Sequence, residues 1–158
     1  GGAFESGTGD YVTLFEPTAS AFAAQGKGHI VTNMGLESGE VPYTTFMMRK
    51  DTIENEPGFA AAFVRAIYRA QKWVWAASDE EVAYAMQPYF PDTDIATLSA
   101  VAKSYRATDS WTKVPTMTED AFTRLQDILD GAGELAARIE LSELVDNSFG
   151  EAAISEIG

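Results

Sequence analysis

Cysteine is absent from all 158 residues. Its absence excludes disulfides, thiolate nucleophiles, iron–sulfur clusters and cysteine-zinc sites. It leaves the compartment open, because a domain with an adequate core needs no disulfides. Histidine occurs once, as His29. A metal site there would have to lean on distant carboxylates, so no metal and no cofactor are expected. Bases are scarce: 11 Lys and Arg stand against 24 Asp and Glu, a net charge of -13. Phosphate-backbone binding and docking on anionic lipid both need clustered Lys and Arg, so neither partner is expected. No apolar run approaches the ~20 residues of a bilayer span. The opening Gly1-Gly2-Ala3 carries neither the basic nor the apolar stretch of a secretion signal, so none is expected in these residues.

What is present is enough for one globular domain with a sizeable core. Apolar residues make up 46% of the chain, and mean hydropathy is -0.12, outside the range of disordered chains. The acids are unevenly spread. Residues 1–77 hold 8 acids and 6 bases, residues 78–158 hold 16 and 5. The excess therefore lies in the half that reads as helical, where solvated helix faces account for it and an acidic docking surface is the alternative.

The first fifty residues read as strands punctuated by glycine. Residues 11–15, 29–34 and 43–48 are short and rich in β-branched and aromatic side chains. Between the first two, residues 18–25 are alanine-rich and stop at Gly26, a short helix with a glycine end. Residues 35–40 read as a loop. From Asp51 onward the period changes. Pro57 suits a first helical turn, and Phe59, Phe63, Ile67, Ala70 and Val74 follow at spacings of three and four. Ser78-Asp79-Glu80-Glu81 is a capping box. Asp92 or Thr93 is expected to cap the helix carrying Ile95, Leu98, Val101, Ala102 and Tyr105. Thr118 is expected to cap another, with Phe122, Leu125, Ile128 and Leu129, and a last amphipathic piece covers residues 141–145.

Three short strands make a marginal sheet, while about five helices carry apolar faces that need a partner. The natural solution is helices covering a sheet whose other strands lie outside this chain. Unpaired edges would also permit a homo-oligomer.

Several segments, in order, carry a family likeness: Gly9 to Pro17, Gly26-Lys27-Gly28-His29-Ile30-Val31, Glu40 to Met48, Phe63 to Trp73, Pro88-Tyr89-Phe90-Pro91 and Asp146-Asn147-Ser148-Phe149. Over residues 4–153 the chain resembles the C-terminal half of bacterial ABC-transporter substrate-binding proteins, in the group handling sulfonates, nitrate, taurine and thiamine precursors. The resemblance implies an α/β chain, the C-terminal portion of a type II periplasmic-binding-protein lobe, with few short strands followed by several packed helices. Residues 1–17 would be the interlobe crossover strand. Residues 18–158 would be the remainder of lobe one, with strands 29–34 and 43–48 and helices from 57 onward. The family is roughly twice this length. A missing N-terminal half, an ABC permease and a small-molecule ligand are therefore the implied partners. The implied location is extracytoplasmic, periplasmic or as a membrane-anchored lipoprotein.

Five residues are candidates for holding a ligand: Phe15, Glu16, Tyr43, Thr44 and Trp111. Glu16 could accept hydrogen bonds from an amine, a hydroxyl or an amidine-like ring edge. Equally, it could serve as a helix-start acid before Pro17. Tyr43 offers a face for stacking and a hydroxyl for one directed bond, with Thr44 beside it; strand packing is the alternative for both. Trp111, in a polar connection, caps a pocket or covers a helix junction. Phe15 adjoins Glu16 on the first strand, where core packing is the default.

No G-x-S-x-G elbow, phosphate-binding loop or dinucleotide fingerprint occurs. Catalysis is not expected. The expected function is the solute-binding component of an ABC importer. Its ligand would be a pyrimidine like a thiamine precursor, ahead of a sulfonate or nitrate. A helical protein-interaction module and half of a thiamine-pyrimidine biosynthetic enzyme of the same fold are the alternatives.

Overall fold

The computed structural model describes all of residues 1–158. Helix accounts for 59% of the chain and no strand forms. This corrects the expectation of an α/β fold: residues 11–15, 29–33 and 43–48 are irregular, and Met34 opens a helix instead. The reason is the ladder. A strand is held by a neighbour's N–H and C=O groups, and β propensity alone provides none.

The elements are α1 (Gly2–Glu5), α2 (Thr18–Ala24), α3 (Met34–Ser38), α4 (Lys50–Asn55), α5 (Pro57–Ala76), α6 (Asp79–Met86), a 3-10 turn (Gln87–Tyr89), α7 (Ile95–Ala107), α8 (Glu119–Gly131), α9 (Leu141–Leu144) and α10 (Ser148–Ile157). They divide into two compact units. Unit one comprises Gly1–Met34 and Ala77–Ser110, unit two Gly35–Ala76 and Trp111–Gly158.

In unit one, α6 and α2 pack against α7. Val82 and Ala83 of α6 meet Leu98, Val101 and Ala102 of α7 in the buried core. The starts of both helices are chemically specified. The Ser78 hydroxyl accepts from the Glu81 amide at 3.2 Å, and the Glu81 carboxylate accepts from the Ser78 amide at 2.8 Å. Those two bonds satisfy donors that a helix start otherwise leaves unpaired. Asp94, rather than Asp92 or Thr93, caps α7, because only from that position does its carboxylate reach the Thr97 amide, at 2.8 Å. Arg106, near the end of α7, donates to the Ala77 carbonyl at 2.6 Å and pairs with Asp79. It thereby ties the end of α7 to the start of α6.

In unit two, α5 packs against α10 and α4. Ala60, Tyr68, Ala121, Phe122 and Ala153 are buried. Thr118 caps α8 by accepting from the Ala121 amide at 3.2 Å. Two side-chain amides then clasp irregular backbone. Gln126, itself buried, accepts from the Ile139 amide at 2.9 Å and donates to the Ile139 carbonyl at 3.1 Å. Asn147 does the same to Met117, at 3.0 and 2.8 Å. Each clasp satisfies a peptide group lying outside any ladder. The helix α10 was not anticipated; the apolar piece ending at Val145 reads as one element, but α9 stops at Leu144 and α10 begins at Ser148.

Gly150 lets α10 lie directly on the backbone at Pro115. A Cβ there would strike the Pro115 carbonyl oxygen and come within 2.8 Å of Thr116 Cγ2. Backbone cannot swing aside as a side-chain end can, so Gly150→Ala should cost about 1–3 kcal/mol. Urea denaturation monitored by circular dichroism checks this; a variant as stable as the parent would show that the 115–116 segment yields freely.

Candidate functional site

The five candidate residues do not fall in one unit. Phe15 and Glu16 belong to unit one, and Tyr43, Thr44 and Trp111 to unit two.

Glu16 precedes Pro17, the residue that caps the start of α2. One carboxylate oxygen accepts from the Ser20 amide at 3.0 Å, the other from the Ser20 hydroxyl at 2.9 Å. The helix-start role is thus occupied. A carboxylate has about four lone-pair directions, however, and these bonds use two of them. The side chain is only half-buried, so the local role and a ligand contact are compatible. Phe15 is exposed, and its carbonyl accepts from the Ala19 amide at 3.0 Å. Tyr105 of α7 senses this corner. Burial first, and the Glu16 charge second, push its hydroxyl pKa above the ordinary tyrosine value. Nearby, a groove of 460 Å³ is lined by Pro17, Thr18 and Phe22 from the α2 side and by Asp92, Asp94 and Thr97 from the α7 side.

In unit two, Tyr43 and Thr44 lie exposed in the irregular segment between α3 and α4. That segment is held at two points. Arg124 of α8 donates to the Glu40 carbonyl at 2.7 Å. Phe46 meets Phe63 of α5 edge to face, with centroids 5.2 Å apart, a favoured aromatic geometry. Gly39 has φ of 76°, where a Cβ would also stand 3.2 Å from the Arg124 guanidinium. A residue with a side chain would therefore strain the turn that presents Tyr43.

Trp111 is half-buried, and its carbonyl accepts from the Trp75 indole N–H at 3.2 Å. Lys113 lies over the Trp75 ring, 4.3 Å from its centroid. Lys72, Trp75, Ala76 and Lys113 line a 330 Å³ hollow. Sequence reasoning missed these lysines. The i, i+3, i+4 spacing of Lys72, Trp75 and Ala76 on α5 was the available signal, but nothing local joins them to Lys113. It likewise missed Tyr105, which entered only as a packing residue.

Chemically, these groups offer hydrogen-bond acceptance at Glu16 and exposed aromatic faces at Phe15 and Tyr43. No group of three or more His, Asp or Glu side chains is arranged to hold a metal ion, and no helix is long and apolar enough to cross a membrane.

The Tyr105 shift gives a direct check on this corner. A nearby negative charge disfavours the phenolate, so removing it must lower the pKa. In Glu16→Gln the Tyr105 midpoint should therefore fall toward the ordinary value while the other tyrosines stay put. Titration followed by NMR resonances of each tyrosine reads this; an unmoved Tyr105 would separate the two residues.

The family described as the NMT1-like family matches residues 2–87, more than half of the chain. The chain is also 42% identical over 154 residues to a Bacillus subtilis (strain 168) protein named "Putative binding protein YtlA". That alignment takes in 98% of this chain and 46% of YtlA, so the chain spans about half the length of that relative. No solved structure matches the chain.

Proposed function

This chain belongs to the NMT1-like family, a periplasmic-binding-protein-like family of ABC substrate-binding proteins, and on that basis we propose that it is part of the solute-binding component of an ABC importer. The general role, solute binding without catalysis, is the one to which both the family and the relative's name point. The observation that carries the reading is the 42% identity to YtlA over almost the whole chain. Such binding proteins are typically extracytoplasmic, and we take this one to work there and to hand its solute to an ABC permease.

For the solute, the reading is a small heteroaromatic of the thiamine-precursor pyrimidine class, ahead of a sulfonate or nitrate. Support comes from the chemistry of the candidate residues. Glu16 retains free acceptor capacity, which suits an amino or amidine-like ring edge. Tyr43 and Phe15 are exposed aromatic side chains, a residue type suited to stacking. An anion would meet repulsion at Glu16. Thr44 would add a hydroxyl beside Tyr43, and Trp111 an aromatic wall. The physics is that of a ligand held between two lobes that close on it.

Calorimetry on a full-length protein containing this chain tests the proposal, with a thiamine-precursor aminopyrimidine, taurine and nitrate as probes. The pyrimidine should bind tightest. Tyr43→Ala and Glu16→Gln should each weaken it about tenfold, or 1.4 kcal/mol. Tightest binding of taurine, untouched by Glu16→Gln, would sink the pyrimidine class. Heat from none of the three would sink the choice of solute group.

A further inference from the structure

The hollow at the end of α5 stands apart from the candidate solute residues. Its lining residues, Lys72, Trp75, Ala76 and Lys113, include none of those five, and all four belong to unit two. No acid lines it, although acids outnumber bases 24 to 11 in the chain. The groups that line it are also held in place. The Trp75 indole N–H donates to the Trp111 carbonyl at 3.2 Å, which fixes the ring. The Lys113 ammonium rests over that ring, 4.3 Å from its centroid. The Lys72 ammonium donates to the Gly158 carbonyl and lies 5.8 Å from the centroid of the Tyr68 ring. Side chains already placed by other contacts lose less rotamer freedom when a ligand arrives.

We propose that this hollow is a second binding site, for a small aromatic carboxylate. Charge selects an anion. The end of α5 opposes it with about half a negative charge, which two full positive charges outweigh. An ammonium has three donors, so the bond to Gly158 does not exhaust Lys72. The walls select the rest of the ligand. The Trp75 ring, the Ala76 methyl and the methylene stems of both lysines are apolar. Inorganic phosphate would leave that wall wet, whereas a flat ring bearing one carboxylate matches both wall and ammonium groups. At 330 Å³ the hollow stands near the lower end of the range for small-molecule sites, about 300–1,000 Å³, which favours a single ring. The inference does not rest on the importer's solute, and its failure would leave the pyrimidine reading untouched.

The test titrates benzoate into the 158-residue chain, with calorimetry for affinity and NMR for location. The Trp75 indole N–H and the Lys113 amide should shift. Benzamide has the ring without the charge and should bind about tenfold more weakly; acetate has the charge without the ring and should also bind more weakly. An exposed ion pair contributes about 0.2–1 kcal/mol, so Lys72→Gln and Lys113→Gln should each weaken benzoate about threefold, and the double variant about tenfold. Arg49→Gln removes a base of the same unit that does not line the hollow, and should change nothing. Both lysines are exposed, so the circular-dichroism signal of the variants should match the parent. Absence of benzoate binding overturns the proposal, as do shifts that miss Trp75 and Lys113. Benzamide binding as tightly as benzoate would leave only an apolar dent. Acetate or inorganic phosphate binding as tightly would leave unspecific anion attraction, as would equal loss from Arg49→Gln. A tetraglutamate peptide binding more tightly than benzoate would assign the hollow to an acidic partner segment instead.

Discussion

Backbone hydrogen bonding decides what this chain can build by itself. A helix satisfies its own peptide groups, so α5 through α8 form from local pattern and are stopped and started by local chemistry. An extended run satisfies nothing without a neighbour. The three β-rich runs are short, are separated by helices and glycine turns, and form no strand ladder. Everything else adjusts to that. Order is carried by helices, cores are helix against helix, and apolar side chains of the extended runs stay at the surface.

Where helices end, the chain relies on a few directed contacts. Arg106 joins α7 to the start of α6 in unit one. In unit two Gln126 and Asn147 each grip one peptide group of an irregular segment, and Gly150 admits α10 onto the backbone near Pro115. Irregular segments also carry the candidate residues. Arg124 and Phe63 hold the 39–46 segment on which Tyr43 is displayed. Ser20 holds Glu16 in its orientation before α2. Binding residues on loops steadied by helices are a common arrangement.

The family likeness could be read from ordered segments without any single diagnostic motif, and the match to the NMT1-like family agrees with it. The candidate site was less legible. Glu16 could be picked out because an acid before proline at a helix start is locally distinctive, and its bonds to Ser20 are local bonds. Tyr105 could not be connected to it, because that pairing depends on α2 packing against α7. Nor could the hollow between Lys72 and Lys113 be foreseen, since its walls lie some forty positions apart.

The sequence by itself determined the helical half: the capping box at Ser78, the cap at Thr118, the start at Pro57 and the apolar faces between them. Those features depend on residues three or four positions apart, a range over which sequence spacing is spatial proximity. It also determined the family, since order and spacing of segments are properties of the chain alone. Only the tertiary structure decided whether the β-rich runs would pair, where the α7 cap would settle, and which residues would share a unit. Those outcomes depend on what lies across a gap from each residue, and propensity is silent about the other side.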